Sequence, residues 1–134
     1  MKHIMITGTQ EGLSDNQYKQ VYNLLLEMYE NNHSEVCLHH GDCIGVDAEV
    51  NKIARALGYY TIAHPCDIEE KRAFSQSDET LEPLPPLVRN RIMVDESSFV
   101  IACPKQDKEI LRSGTWATIR YAKKQGKNVR RLDR

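Results

Sequence analysis

The stretch Val36–Val50, VCLHHGDCIGVDAEV, limits what this chain can fold into more than any other part of it. Val36, Cys37 and Leu38 read as a short apolar strand that breaks at Gly41. Apolar residues return after Gly45 at helical spacing, at Val46, Val50, Ile53, Ala54 and Leu57. A strand that stops on glycine and restarts as a helix leaves the first-turn N–H groups free. With the positive end of the helix dipole, those donors form an anion site at the carboxyl edge of a sheet. Glycine lets a phosphate approach the backbone closely. Gly41-Asp42-Cys43-Ile44-Gly45 is thus either a phosphate- or ribose-facing loop or a plain strand-to-helix turn, and the decision rests on where the other loops lie.

Those loops follow from the periodicity of the rest. Lys2–Thr7 is apolar at Ile4, Met5 and Ile6 and reads as a buried strand, followed by the polar loop Thr7–Gly12 with Gly8 and Thr9 at its start. Ser14 or Asp15 caps a helix whose apolar residues, Tyr18, Val21, Tyr22, Leu25, Leu26 and Met28, recur at steps of one helical turn. After the central strand and helix, closed by Gly58, come a third strand over Tyr59–His64, a short helix over Leu87–Glu96 and a fourth strand over Ser98–Cys103. Ser113-Gly114-Thr115 opens a last helix, which closes at Gly126, and Asn128–Leu132 is a final edge-like strand. The charged and proline-containing stretch 65–86 is too long for an ordinary connection and reads as a flap-like insertion or mobile loop.

This alternation predicts a single α/β domain over residues 1–134. It is Rossmann-like and doubly wound, with a mainly parallel five-stranded sheet and helices on both faces. In such sheets ligands bind at the carboxyl edge, where strand order reverses. Three polar, glycine-bearing loops converge there: Thr7–Gly12, Gly41–Gly45 and Ser113–Thr115. Their convergence points to a nucleotide-like ligand.

Charge and cysteine content narrow the function classes. With a formal net charge of −1, no global field drives the chain onto nucleic acid or membrane. Arg120–Arg134 carries seven Lys or Arg against one Asp, which reads as a solvated basic face. DNA contact, if any, would be non-specific and lost as salt rises. No apolar run approaches the roughly 18 residues of a membrane span. The four cysteines form no CxxC pair, which fits reduced thiols in the cytoplasm.

Several sequence blocks together resemble the SLOG superfamily of Rossmann-like proteins. They are His39-His40-Gly41-Asp42-Cys43-Ile44-Gly45-Val46-Asp47, Arg89-Asn90 and Arg112-Ser113-Gly114-Thr115-Trp116-Ala117-Thr118-Ile119-Arg120-Tyr121-Ala122. That superfamily includes the Lonely Guy phosphoribohydrolases, DNA-processing protein A and small stand-alone bacterial and phage proteins. The resemblance covers nearly the whole chain except 66–86 and 105–111. It implies a nucleotide or nucleotide-derived ligand held at the carboxyl edge, often in a homodimer. No resident cofactor is expected. Matched to the Lonely Guy pattern, its arginine falls on Arg89 and its Gly-Thr on Gly114-Thr115, while its glycine pair falls on Leu111-Arg112 and its acidic residue on Thr118. A threonine hydroxyl supplies neither negative charge nor a base for cleaving an N-glycosidic bond. The chain is therefore expected to act as a sensor or binding protein. The alternative is a nucleotide N-glycosidase with the acid relocated to Asp42 or Asp47, and a DNA-binding module is a third class.

The expected ligand-binding residues are Gly8, Thr9, Gly41, Asp42, Gly45, Asp47, Arg89, Asn90, Ser113, Gly114 and Thr115. Arg89 is the phosphate ligand of choice, because its fork binds phosphate through two hydrogen bonds. Its removal is expected to weaken binding and leave the fold intact. Asp47, early in its helix, either complements the dipole or binds ribose. Trp116 either stacks on a base or fills the core. His39 and His40 point to opposite faces of their strand, so the His39-His40-Asp42-Cys43 run is not expected to hold a metal. Cys103 is expected to be a buried thiol rather than a nucleophile.

Overall fold

A computed structural model describes all 134 residues. The elements are β1 (Lys2–Gly8), α1 (Asp15–Asn31), β2 (Val36–His40), α2 (Val46–Leu57), β3 (Tyr60–Ala63), β4 (Glu79–Thr80), α3 (Pro86–Glu96), β5 (Phe99–Cys103), α4 (Gly114–Lys124) and β6 (Asn128–Arg131), with one 3-10 turn at Glu69–Lys71. All strand pairs are parallel, in the order β4-β3-β2-β1-β5-β6. The sheet thus has six strands where periodicity predicts five. The missed strand is β4, two polar residues inside the 65–86 stretch that pair with Ile62 and Ala63. Two exposed polar residues carry no hydrophobic alternation, so only the open edge of β3 makes them a strand.

Local chemistry sets the element ends. Ser14 caps α1, accepting from the Gln17 N–H while the Gln17 side chain accepts from the Ser14 N–H. Gly58 closes α2 in the left-handed conformation. Ser113 caps α4 by accepting from the Trp116 N–H. The main core packs α1 and α2 against Ile4, Ile6, Leu38 and Ile101. Each such side chain contributes roughly 1.5–3 kcal/mol on full burial. The opposite face packs α3 and α4 through Met5, Met93, Val100 and Ala122. Trp116 belongs to that side, buried against Ala102 and Ile119, so of its two roles it takes the core one.

The fully buried Gln17 also ties α1 to the ends of β5 and β6, donating to the carbonyls of Pro104 and Leu132. The 65–86 stretch is a strap docked on the β2–α2 loop. Ala73 N–H donates to the Asp42 carbonyl, Ser75 N–H to Oδ1 of Asp42, and Asn51 Nδ2 to the Gln76 carbonyl. No helix is long and apolar enough to cross a membrane.

Candidate functional site

Strand order reverses between β1 and β5: the chain steps outward from β1 through β2, β3 and β4, then returns to the other side of β1 with β5. Loops leaving β1 and β5 therefore diverge and open a crevice at the carboxyl edge. A cavity of about 390 Å³ lies there. Thr7–Gln10 line it from the end of β1, Lys105 and Gln106 follow β5, Ser113–Thr115 open α4, and Arg89 and Asn90 come from the first turn of α3. Of the expected site residues, Gly8, Thr9, Asp47, Arg89, Asn90, Ser113, Gly114 and Thr115 meet around this one cavity.

Gly41, Asp42 and Gly45 do not line it, and four of the five N–H groups of their loop, all but that of Gly45, are already taken. Gly41 and Cys43 N–H groups both donate to Oδ2 of Asp47, at 3.1 and 3.3 Å. Asp42 N–H goes to Nδ1 of His40, Ile44 N–H to the Lys71 carbonyl, and Val46 N–H to the Thr9 carbonyl. A phosphate has no claim on N–H groups committed in this way. The two glycines instead permit close approach. A Cβ at Gly41 would lie 2.5 Å from Nη1 of Arg89 and 2.9 Å from Oδ2 of Asp47. Gly45 has φ +89°, and its Cβ would meet the Gln10 carbonyl group at 2.5 Å. Asp42 is buried and structural: it pairs with Nε of Arg72 at 3.2 Å and anchors the strap.

The start of α4 is different. The N–H groups of Gly114 and Thr115 make no hydrogen bond within the chain, so this helix terminus keeps its donors for a ligand. Lys71, Lys105 and Arg89 line the cavity with Asp47 as the lone carboxylate, a balance that suits an anion. Sequence reasoning missed Lys71 and Lys105. Lys105 is signalled by its place two residues past a strand end, whereas Lys71 arrives through the fold of the strap and carries no local signal.

Arg89 is buried, and most of its fork is spent on the protein. Nη1 donates to the carbonyls of Gly41 and His64, Nε donates to Oδ1 of Asn90 at 2.7 Å, and Nη2 touches Sγ of Cys43 at 3.8 Å. The expectation of a bidentate phosphate clamp is corrected by this arrangement: with one Nη2 N–H directed at Cys43 Sγ, only a single donor on Nη2 remains for a ligand. The expectation that Arg89→Ala leaves the fold intact falls with it, since truncation strands two buried carbonyls.

Asp47 is the chemically distinctive group. Burial pushes its carboxyl from 3.8 up to about 6, against the opposing pull of the Arg89 guanidinium and the N–H groups of Cys43 and Gly41. An acid of this strength in a cavity matches proton transfer near neutral pH. Thr118, where the Lonely Guy pattern has its acid, is buried outside the cavity, its hydroxyl donating to the Gly114 carbonyl at 3.0 Å.

The histidines divide as strand alternation requires. His40 bonds Oγ of Ser77 at 2.8 Å, while His39 points to the other face, towards His3 and His64. Cys103 is buried, and burial raises its thiol to about 12, which excludes a thiolate nucleophile at neutral pH.

No protein-family model and no curated protein sequence matches the chain. Among solved structures, it is similar in fold to the molybdenum cofactor binding protein of the phototrophic bacterium Rippkaea orientalis (TM-score 0.74, 23% identity, covering 99% of this chain and 77% of that one). It is also similar to the Moco carrier protein of Chlamydomonas reinhardtii (TM-score 0.65, 22% identity, covering 99% of this chain and 77% of that one). At such identity the likeness establishes a shared Rossmann-like fold.

Proposed function

We propose that the chain binds a phosphorylated small molecule, a nucleotide or nucleotide-derived compound, in the carboxyl-edge cavity and acts as a binding or sensor protein. The observation that carries this reading is the free α4 terminus at Gly114 and Thr115 sharing one cavity with Lys71, Lys105 and Arg89. Backbone donors, a helix dipole and excess positive charge are the resources an anion needs. The fold neighbours that bind or carry the molybdenum cofactor add that cofactor to the candidate ligands, since it too joins a phosphate to a heterocycle. Thermal shift with mono-, di-, cyclic and ADP-ribose-type nucleotides and with molybdenum cofactor tests it, because a ligand of the native state must stabilise. A shift lost in Ser113→Ala and Lys105→Ala supports the reading. No shift with any compound of the panel at millimolar concentration overturns it.

A second reading draws on Asp47. A carboxyl held near pH 6 inside the cavity fits the acid or base of a nucleotide N-glycosidase, and of the two relocated acids considered from sequence only Asp47 reaches the cavity. Release of free base from a nucleoside monophosphate, abolished by Asp47→Asn, distinguishes enzyme from sensor. The proposal extends to a cytoplasmic setting, suited to four free cysteines, and to a dimer. The exposed Leu84, Leu87 and Val88 at the start of α3 offer apolar surface for a second copy, which sedimentation checks.

A further inference from the structure

On the face of the sheet that carries α3, three neighbouring strands each contribute a histidine. His3 comes from β1, His39 from β2, and His64 follows β3 directly. The register places them on a diagonal, because His3 pairs with Cys37 and His39 lies two residues further on, while His39 pairs with Ile62 and His64 lies two residues beyond that. Nδ1 of His3 is 2.8 Å from Nε2 of His39, and Nδ1 of His39 is 2.8 Å from Nε2 of His64. Glu96, the last residue of α3, brings Oε2 within 3.6 Å of Nδ1 of His39 and 3.8 Å of Nε2 of His64. None of the three residues His39, His64 and Glu96 lines the ligand cavity.

We propose that His39, His64 and Glu96 form a binding site for a divalent transition-metal ion of the zinc class, with solvent completing the coordination. Donors at metal bonds of about 2.0–2.2 Å in tetrahedral geometry stand roughly 3.3–3.5 Å apart. The three donor atoms here form a triangle of 2.8, 3.6 and 3.8 Å, so a shift of a few tenths of an ångström at each makes room for an ion. The donor set is chemically coherent. Two imidazoles and one carboxylate are a common set for zinc and for non-haem iron, whereas calcium and magnesium prefer oxygen throughout. The neutral imidazole, the form that ligates a metal, is the prevailing form of histidine at neutral pH. The supporting shell exists as well. With Nδ1 of His39 on the metal, its Nε2–H donates to Nδ1 of His3, the outer hydrogen bond that orients a ligating histidine. His64 and Glu96 are nearly buried and half exposed respectively, which leaves an entry path on the Glu96 side.

Such an ion clips β2 and the end of β3 to the C-terminus of α3, whose N-terminus carries Arg89 into the ligand cavity and holds the His64 carbonyl through Nη1. The second donor group on this face, His3, Cys37 and His39, competes for the same central imidazole. Filling both at once would require His39 to lose its ring proton and bridge two ions as an imidazolate, so one ion per chain is expected.

The test uses the tag-free full chain with zinc alone by titration calorimetry, and with cobalt(II) alone by visible absorption. One equivalent per chain is expected, with cobalt bands typical of a site of low coordination number. Glu96→Gln, a half-exposed helix-end change that spares the fold, is expected to weaken zinc binding by roughly tenfold or more, as loss of a ligand must at least match loss of an outer-shell partner. His64→Gln, checked for folding by circular dichroism, is expected to do the same, while His33→Gln in the exposed α1–β2 turn, outside the donor set, changes nothing. Failure to bind one equivalent, or binding unchanged in Glu96→Gln, overturns the proposal. So does binding abolished by Cys37→Ser but retained in Glu96→Gln. None of these outcomes depends on the nucleotide reading.

Discussion

Replacing Asp47 by asparagine is expected to stabilise the fold while damaging the site. The carboxylate is buried, and moving its folded pKa from 3.8 to about 6 means that the ionised form is held at a cost. At about 1.36 kcal/mol for each pH unit, that cost approaches roughly 3 kcal/mol at pH 7. The sign follows from proton uptake. A carboxyl with a raised folded pKa binds its proton more readily in the native state, so its contribution to stability falls as pH rises from about 4 through about 6. Asparagine keeps an amide oxygen to accept from the Gly41 and Cys43 N–H groups and never ionises. The stability of Asp47→Asn minus that of the wild type should therefore climb by up to roughly 3 kcal/mol between about pH 4 and pH 7. Urea unfolding followed by the single, buried Trp116 reads the difference, and proton uptake by the buried histidines cancels in it. A difference that stays flat or declines over that range refutes the reasoning. If the carboxylate serves a ligand, stability has been traded for function at this position, and the stabilised variant should lose ligand binding or turnover.

Other perturbations probe the same framework. Arg89→Lys removes the fork that joins Gly41, His64 and Asn90 and should cost roughly 2–4 kcal/mol in chemical denaturation, because buried carbonyls lose their donors; a cost below about half a kcal/mol would show those bonds to be unimportant. Gly45→Ala forces a side chain into a φ of +89° and against the Gln10 carbonyl, so a loss of at least ~2 kcal/mol is expected. Ser113→Ala deletes the α4 cap and should lower stability by about 1 kcal/mol, with a larger proportional effect on ligand affinity than on melting temperature.

The α/β alternation, the helix limits and the loops that gather at the carboxyl edge were legible in the residues, because each depends on signals spanning a few positions. Such signals are the apolar spacing of Val46, Val50 and Ile53, the cap at Ser14, the glycine at 58 and the β-branched run through Phe99–Cys103. Which donors remain free at that edge was decided by tertiary structure. Gly41–Gly45 and Gly114–Thr115 look alike as glycine-bearing turns. Asp47 reaches back to take the Gly41 and Cys43 N–H groups of the first, while nothing in the chain takes those of Gly114 and Thr115 in the second. A hydrogen-bond donor is spent or available only once every possible acceptor has a position in space, and local pattern holds no such information. The same holds for β4, which exists because β3 leaves an edge beside it. It holds for Lys71, delivered to the cavity by the strap, and for His3, His39 and His64, which strand register sets side by side although the first and last are far apart in the chain.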